Sequence, residues 1–109
     1  MAKLFGIHYL ELQPGVNAED FERFVAEEVY PATARQDLTL SVVKGERGER
    51  LEKYLLLFEY ESVAGRDRYF PTPDEPSEAG KSLAGQWTEK FGTFVAFVGN
   101  FTDYVAIGR

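Results

Sequence analysis

Strands that are apolar on both faces, in a chain with helices enough to cover only one of them, are what most constrains this sequence. Residues 4–12 (LFGIHYLEL) set Leu4, Leu10 and Leu12 on one alternating face and Phe5, Ile7 and Tyr9 on the other. A strand patterned in this way is covered on both sides, and Gln13-Pro14-Gly15 stops it. Tyr54 to Tyr60 repeats the pattern, with Leu55 and Leu57 alternating with Leu56, Phe58 and Tyr60. Leu38 to Val43 is a further strand, joined to Tyr54–Tyr60 as a hairpin with a charged, glycine-containing tip at Lys44 to Arg50. Phe94 to Val98 reads as a last core strand, continued by strand-like residues from Asn100 to Ile107.

Two helical regions lie between these strands. Asn17 is placed to cap the first, Glu19 and Asp20 suit its first turn, and Phe21, Phe24, Val25 and Val29 recur at helical spacing until Pro31 follows Tyr30. The pattern predicts an amphipathic helix stopped by that proline. Ser62 caps a second, short helix through about Tyr69 and Phe70. The next six residues, PTPDEP, contain three prolines and are predicted to be an irregular loop, more mobile than the strands and suited to act as a lid or a connector. Ser77 restarts a helix with Leu83, Ala84, Trp87 and Phe91 on one face, and Gly92 stands where a terminating glycine belongs.

The order is β-α-β-β-α-β. Right-handed crossovers in both halves give an α+β protein with a four-stranded antiparallel sheet of ferredoxin-like order, both helical regions on one face and the second interrupted by the proline loop. The 109 residues predict one domain over 1–109, without repeat or linker. The sheet face left without helices calls for a partner, and an isologous homodimer, burying sheet against sheet, is the simplest one. Phe58 and Tyr60 are candidate residues of that interface.

Composition narrows the function classes. Twelve basic against 18 acidic residues give a net charge of −6, which repels phosphate backbones and argues against nucleic acid or an anionic membrane as partner. The chain has no cysteine, which excludes disulfides, thiolate catalysis, Cys-ligated zinc and iron–sulfur clusters. No apolar run approaches the ~18 residues of a membrane span and the first residues run directly into a strand pattern, so a cytoplasmic location is expected. Aromatic residues reach 15%, with 9 Phe and 6 Tyr, more than a core of this size requires. Some are expected to line a pocket or a subunit interface.

His8 is the single histidine, so every imidazole mechanism passes through it and multi-histidine metal sites are ruled out. It shares a strand face with Gly6, Leu10 and Leu12, and the missing side chain of Gly6 leaves a hollow where a ligand or another backbone can approach. The competing reading is a core histidine held by a carbonyl or carboxylate. Glu59 and Glu61 share the strand face of Leu55 and Leu57; buried, Glu59 would act as a base, whereas at a strand end both carboxylates are hydrated.

The stretch Phe58-Glu59-Tyr60-Glu61-Ser62-Val63, with Tyr69, Pro71 and the downstream Trp87-Thr88-Glu89-Lys90, resembles the dimeric α/β-barrel superfamily. It is most similar to the stress-responsive A/B-barrel domains and the plant polyketide cyclases built on that fold. The resemblance covers nearly the whole chain in element order. It implies a catalytic role for Tyr69 and a pocket-lining role for Trp87. A tyrosine pointing into a pocket can donate to a substrate oxyanion; the competing readings are a helix residue that packs its ring and keeps its hydroxyl in water, and a core stripe of Trp87 with Leu83 and Phe91. The loop histidine of those cyclases has no counterpart in Pro71 to Ser77, where Asp74 and Glu75 are the titratable groups, and the helix histidine of haem-degrading relatives is absent too.

The expected catalytic pair is therefore His8 and Tyr69 facing one cavity, with Gly6, Leu10, Phe24 and Trp87 as ligand-binding residues and no metal or cofactor. The expected function is a homodimeric small-molecule-binding protein for a small apolar or aromatic ligand, with cofactor-independent cyclase-, isomerase- or monooxygenase-like chemistry. The alternative is a non-catalytic dimeric structural or stress-response module in which the aromatics only build core and interface.

Overall fold

A computed structural model describes residues 3–35, 37–85 and 87–108. Strand β1 (Leu4–Leu12) leads into helix α1 (Ala18–Phe24), which continues through a wide π-helical turn over Val25–Val29 into the single turn α2 (Tyr30–Ala32). Strands β2 (Leu38–Lys44) and β3 (Tyr54–Tyr60) follow, then helices α3 (Val63–Tyr69), α4 (Glu78–Ala84) and α5 (Trp87–Phe94), and strand β4 (Val95–Val105). The strands form one antiparallel sheet in the order β2-β3-β1-β4. This is the ferredoxin-like topology that the element order predicts.

Helix α1 begins where Asn17 accepts hydrogen bonds from the backbone N–H groups of Glu19 and Asp20, at 2.8 and 3.2 Å. Its apolar stripe is buried in full: Phe21, Phe24, Val25 and Val29 are all core residues. The helical path does not end before Pro31, contrary to expectation. A proline ring in an ordinary α-helix collides with the carbonyl four residues earlier. Here the path widens ahead of the proline, and the Tyr30 N–H donates to the Val25 carbonyl five residues back, which admits Pro31 into a last turn.

In the second helical region Ser62 caps α3 by accepting from the Gly65 N–H at 3.1 Å, and 70–76 is irregular, as the prolines demand. Ser77 caps α4 through the Gly80 N–H. The single helix expected from Ser77 to Gly92 is instead two. Gly85 breaks it with φ of +54° and ψ of −159°, a conformation that only glycine adopts readily. Gly92 lies inside α5, which runs on to Phe94.

Both helical regions cover one sheet face. Leu4, Leu10, Leu40, Tyr54, Leu56, Phe58 and Tyr60 pack there against Phe21, Phe24, Val25, Val29, Leu83 and Phe91 in one buried cluster. On the other face Phe5, Ile7, Tyr9, Leu55 and Leu57 are half-buried, while Val43 and Tyr104 are exposed. Phe58 and Tyr60 thus belong to the helix-covered core and not to the open face, because alternation along β3 reserves that face for Leu55 and Leu57.

Candidate functional site

The helix-covered face is not filled along its whole length. The proline loop breaks the helical layer between α3 and α4, and a cavity of 410 Å³ opens beneath it, within the ~300–1,000 Å³ usual for small-molecule sites. Gly6 and His8 of β1 form its floor with Leu56, Phe58 and Tyr60 of β3. Val98, Phe101 and Asp103 of β4 make one wall, and Arg66 of α3 with residues 70–73 makes the roof.

Strand pairing assembles the polar groups. Gly6 lies opposite Phe58 on one side and Asp103 on the other, and Leu4 lies opposite Tyr60. A β-carbon on residue 6 would stand 2.9 Å from Oδ1 of Asp103 and 3.6 Å from Cβ of Phe58. Glycine is therefore what lets the Asp103 carboxylate lie across β1. The other Asp103 oxygen accepts a hydrogen bond from Nη1 of Arg66, whose Nε donates to Asp67 at 2.7 Å. Those contacts, led by Asp67, hold the Arg66 guanidinium firmly in its charged form.

His8 is half-buried and sandwiched by rings. It stacks on Phe101 at 5.1 Å between centroids and meets Phe58 edge-on at 5.5 Å. Burial pushes its pKa below 6.5, and the nearby Asp103 carboxylate only partly opposes that. The imidazole is therefore neutral at pH 7, with one nitrogen able to accept a proton. Tyr60 is 3% exposed, and burial first, then Asp103, raises its pKa far above the ordinary value of 10. It is a neutral phenol, with a proton available to donate.

Of the residues expected at the site, Gly6 and His8 are on the cavity wall. Tyr69 is not. It is buried beside Tyr60, with ring centroids 6.4 Å apart, and its hydroxyl donates to Asp37 at 2.6 Å. This bond, the largest influence on Asp37, lowers the pKa of that carboxyl, while burial and then Asp37 raise that of Tyr69. The phenol is spent on a tie between α3 and the segment before β2. Leu10 is a core residue at 1% exposure, and Phe24 stacks on Phe94 at 5.0 Å. Trp87 packs edge-on to Phe91 and donates its indole N–H to the Leu83 carbonyl at 2.8 Å; half-buried against the core, it is not part of the cavity wall. Glu59 is on the open face, paired with Lys3 at 3.3 Å, and Asp74 and Glu75 are exposed. Among the described residues no cluster of three or more His, Asp or Glu is placed to hold a metal ion.

Sequence reasoning missed Tyr60, Arg66 and Asp103. For Tyr60 the signal existed: alternation puts it with Phe58 and Leu56, and antiparallel pairing puts that set on the face of His8. Asp103 depends on a register shift between β1 and β4 after Ile7, which no local pattern announces.

No family model and no curated protein matches this sequence. Solved structures do resemble it in fold. A DABB family protein with a ferredoxin-like fold from Mesorhizobium loti superposes with a TM-score of 0.63 at 14% identity, covering 99% of this chain and 100% of that one. A dimeric protein of unknown function and ferredoxin-like fold from Bacteroides fragilis gives 0.58 at 12%, covering 95% and 96%. An antibiotic biosynthesis monooxygenase-type protein from Bacillus cereus gives 0.50 at 17%, covering 100% and 97%. At these identities the likeness is one of architecture, and it agrees with the ferredoxin-like fold read from the strand and helix order.

Proposed function

We propose that this chain is a homodimeric small-molecule-binding protein whose ligand, compact and aromatic or largely apolar, occupies the cavity above Gly6 and His8. The observation that carries this reading is the lining itself: a 410 Å³ space walled by Leu56, Phe58, Phe70, Val98 and Phe101, onto which a few polar groups converge. Apolar walls supply affinity through burial, and sparse polar groups fix orientation. A structure of the same fold bears the name of an antibiotic biosynthesis monooxygenase, which supports reading the cavity as a place for chemistry. His8 is the base in this reading, taking a proton from an activated C–H or O–H. Tyr60 donates to the oxyanion that results, the role the sequence suggested for Tyr69.

A panel of small aromatic and polyketide-like compounds, screened by thermal shift and then by ligand-observed NMR, tests the assignment. At least one compound is expected to stabilise the wild type and to bind more weakly to His8→Gln/Tyr60→Phe. Tyr69→Phe is the control: it loses a partly buried hydrogen bond worth about 1 kcal/mol of stability but keeps the ligand. A compound bound equally by the double variant places the site elsewhere, and a chain that binds nothing in the panel favours the alternative of a non-catalytic dimeric module.

A further inference from the structure

The polar groups of the cavity carry a charge balance that restricts the ligand further. Arg66 contributes one positive charge, and it is shared between two carboxylates: Asp103 on the cavity wall and Asp67 behind it. The three groups together carry a net charge of −1. His8 and Tyr60 add none. An anionic ligand entering a space otherwise walled by aromatic rings would find its natural cation already engaged and a fixed carboxylate beside it. Like charges at close range in a partly dehydrated site repel strongly. Asp103 uses only Oδ2 on Arg66; Oδ1 lies over the vacant Cβ position of Gly6, and among the described residues no donor reaches it. It is an acceptor on the wall of a cavity that Phe58, Phe70 and Phe101 also line.

We propose that the cavity selects uncharged aromatic ligands bearing a hydroxyl group, of the phenol or enol class, and rejects aromatic carboxylates, with Asp103 as the residue that imposes both preferences. The ligand hydroxyl donates to Oδ1 of Asp103, and its ring stacks among the three phenylalanines. The inference rests on the cavity being a ligand site at all, so its test separates the two.

Three probes of one shape suffice: 2-naphthol, 2-naphthoate and naphthalene, titrated at pH 7 by ligand-observed NMR, each below its solubility limit. At that pH the phenol (pKa about 10) is neutral and the carboxylic acid (pKa about 4) is ionised. The wild type is expected to bind naphthol about tenfold more tightly than naphthoate, with naphthalene between them. Asp103→Asn, which keeps the shape of the side chain and removes its charge, is expected to bind naphthoate at least as well as naphthol, because Arg66 then faces the cavity with its charge uncompensated on that side. Melting curves verify that the variant folds, and the wild-type comparison stands without it. Equal binding of naphthol and naphthoate by the wild type overturns the selectivity. Naphthalene binding as tightly as naphthol overturns the acceptor role of Asp103 while leaving the cavity a ligand site. Binding of none of the three overturns the ligand site and this inference with it.

Discussion

His8 concentrates the physical argument at the scale of single residues. Its ring is fixed by Phe58 and Phe101, and its pKa is depressed below 6.5, chiefly by burial. The charged groups on the cavity it faces are Asp103 from β4, which opposes the shift, and Arg66 from α3, which is paired to Asp103; Tyr60 of β3 is neutral. The unfolded chain takes up a proton on this histidine near pH 6.5, whereas the folded chain does so only at lower pH. Between those two values the unfolded state binds more protons, so stability falls as pH drops below 6.5 and levels off beneath the folded pKa. Melting temperatures measured from pH 7.5 to 5 are expected to show this fall for the wild type and not for His8→Gln; parallel profiles would mean that the imidazole is not desolvated. The carboxyls of Asp37 and Glu22, whose folded pKa values are lowered through Tyr69 and Tyr54 respectively, lose their contribution only at more acid pH and do not blur the window. His8 and Gly6 were legible in the sequence because a two-residue period assigns strand faces without knowledge of the rest of the fold. Tyr69 was misread because the direction of a helix residue depends on how its helix sits, and seven residues of α3 define no stripe wide enough to reveal that.

At the scale of elements, the junction of α3, the proline loop and α4 sets the shape of the cavity roof. The loop leaves and returns over a short span, and its ends are clamped: the Ser77 N–H donates to the Tyr69 carbonyl at 2.9 Å, and the Ser77 hydroxyl donates to the Arg68 carbonyl at 2.5 Å. Gly80 makes the clamp possible. A β-carbon there would stand 2.2 Å from the Tyr69 carbonyl oxygen and 2.9 Å from Pro76, and backbone cannot yield as a side-chain tip can. Gly80→Ala is therefore expected to destabilise the fold by about 1–3 kcal/mol, as overpacking does, read from urea unfolding. By hydrogen exchange, residues 72–75 of the wild type should exchange fast and the Ser77 amide slowly, and in Gly80→Ala the Ser77 protection should fall. An unchanged Ser77 would show that the clamp does not depend on this close approach. The strand boundaries, both serine caps and the irregular loop could be read from sequence, since each has a local cause. The helix breaks could not. Both Gly85 and Gly92 are able to end a helix, and only the first turns to positive φ, while Gly92 stays within α5; local sequence does not distinguish them.

For the whole molecule, the proposed homodimer turns on the sheet face opposite the helices. Leu57 lies at its centre, paired with Ile7 on one side and Ser41 on the other, and Phe5, Tyr9 and Leu55 surround it half-buried. At its edge the Arg50 guanidinium lies 4.3 Å over the Tyr9 ring, its Nε buried and without a hydrogen-bond partner among the described residues, and the Lys3–Glu59 pair marks the strand ends. A contiguous apolar centre with charged groups at its margin is how a subunit interface is composed, and a lone chain rarely leaves such a patch in water. The proposed homodimer covers this face in each copy. Sedimentation equilibrium should then give twice 12.3 kDa for the wild type at micromolar concentration. Leu57→Lys should give 12.3 kDa with its circular dichroism intact, because a lysine on this face reaches water in the monomer but is trapped without a counter-ion in the dimer. Phe58→Lys, one residue along, should fail to fold at all, since alternation turns it into the core, where Phe58 is 8% exposed. A wild type that stays at 12.3 kDa at high concentration would refute sheet-on-sheet pairing. A Leu57→Lys protein that still dimerises would move the interface to another surface, and a Phe58→Lys protein that folds would contradict the face assignment on which both the dimer and the cavity depend.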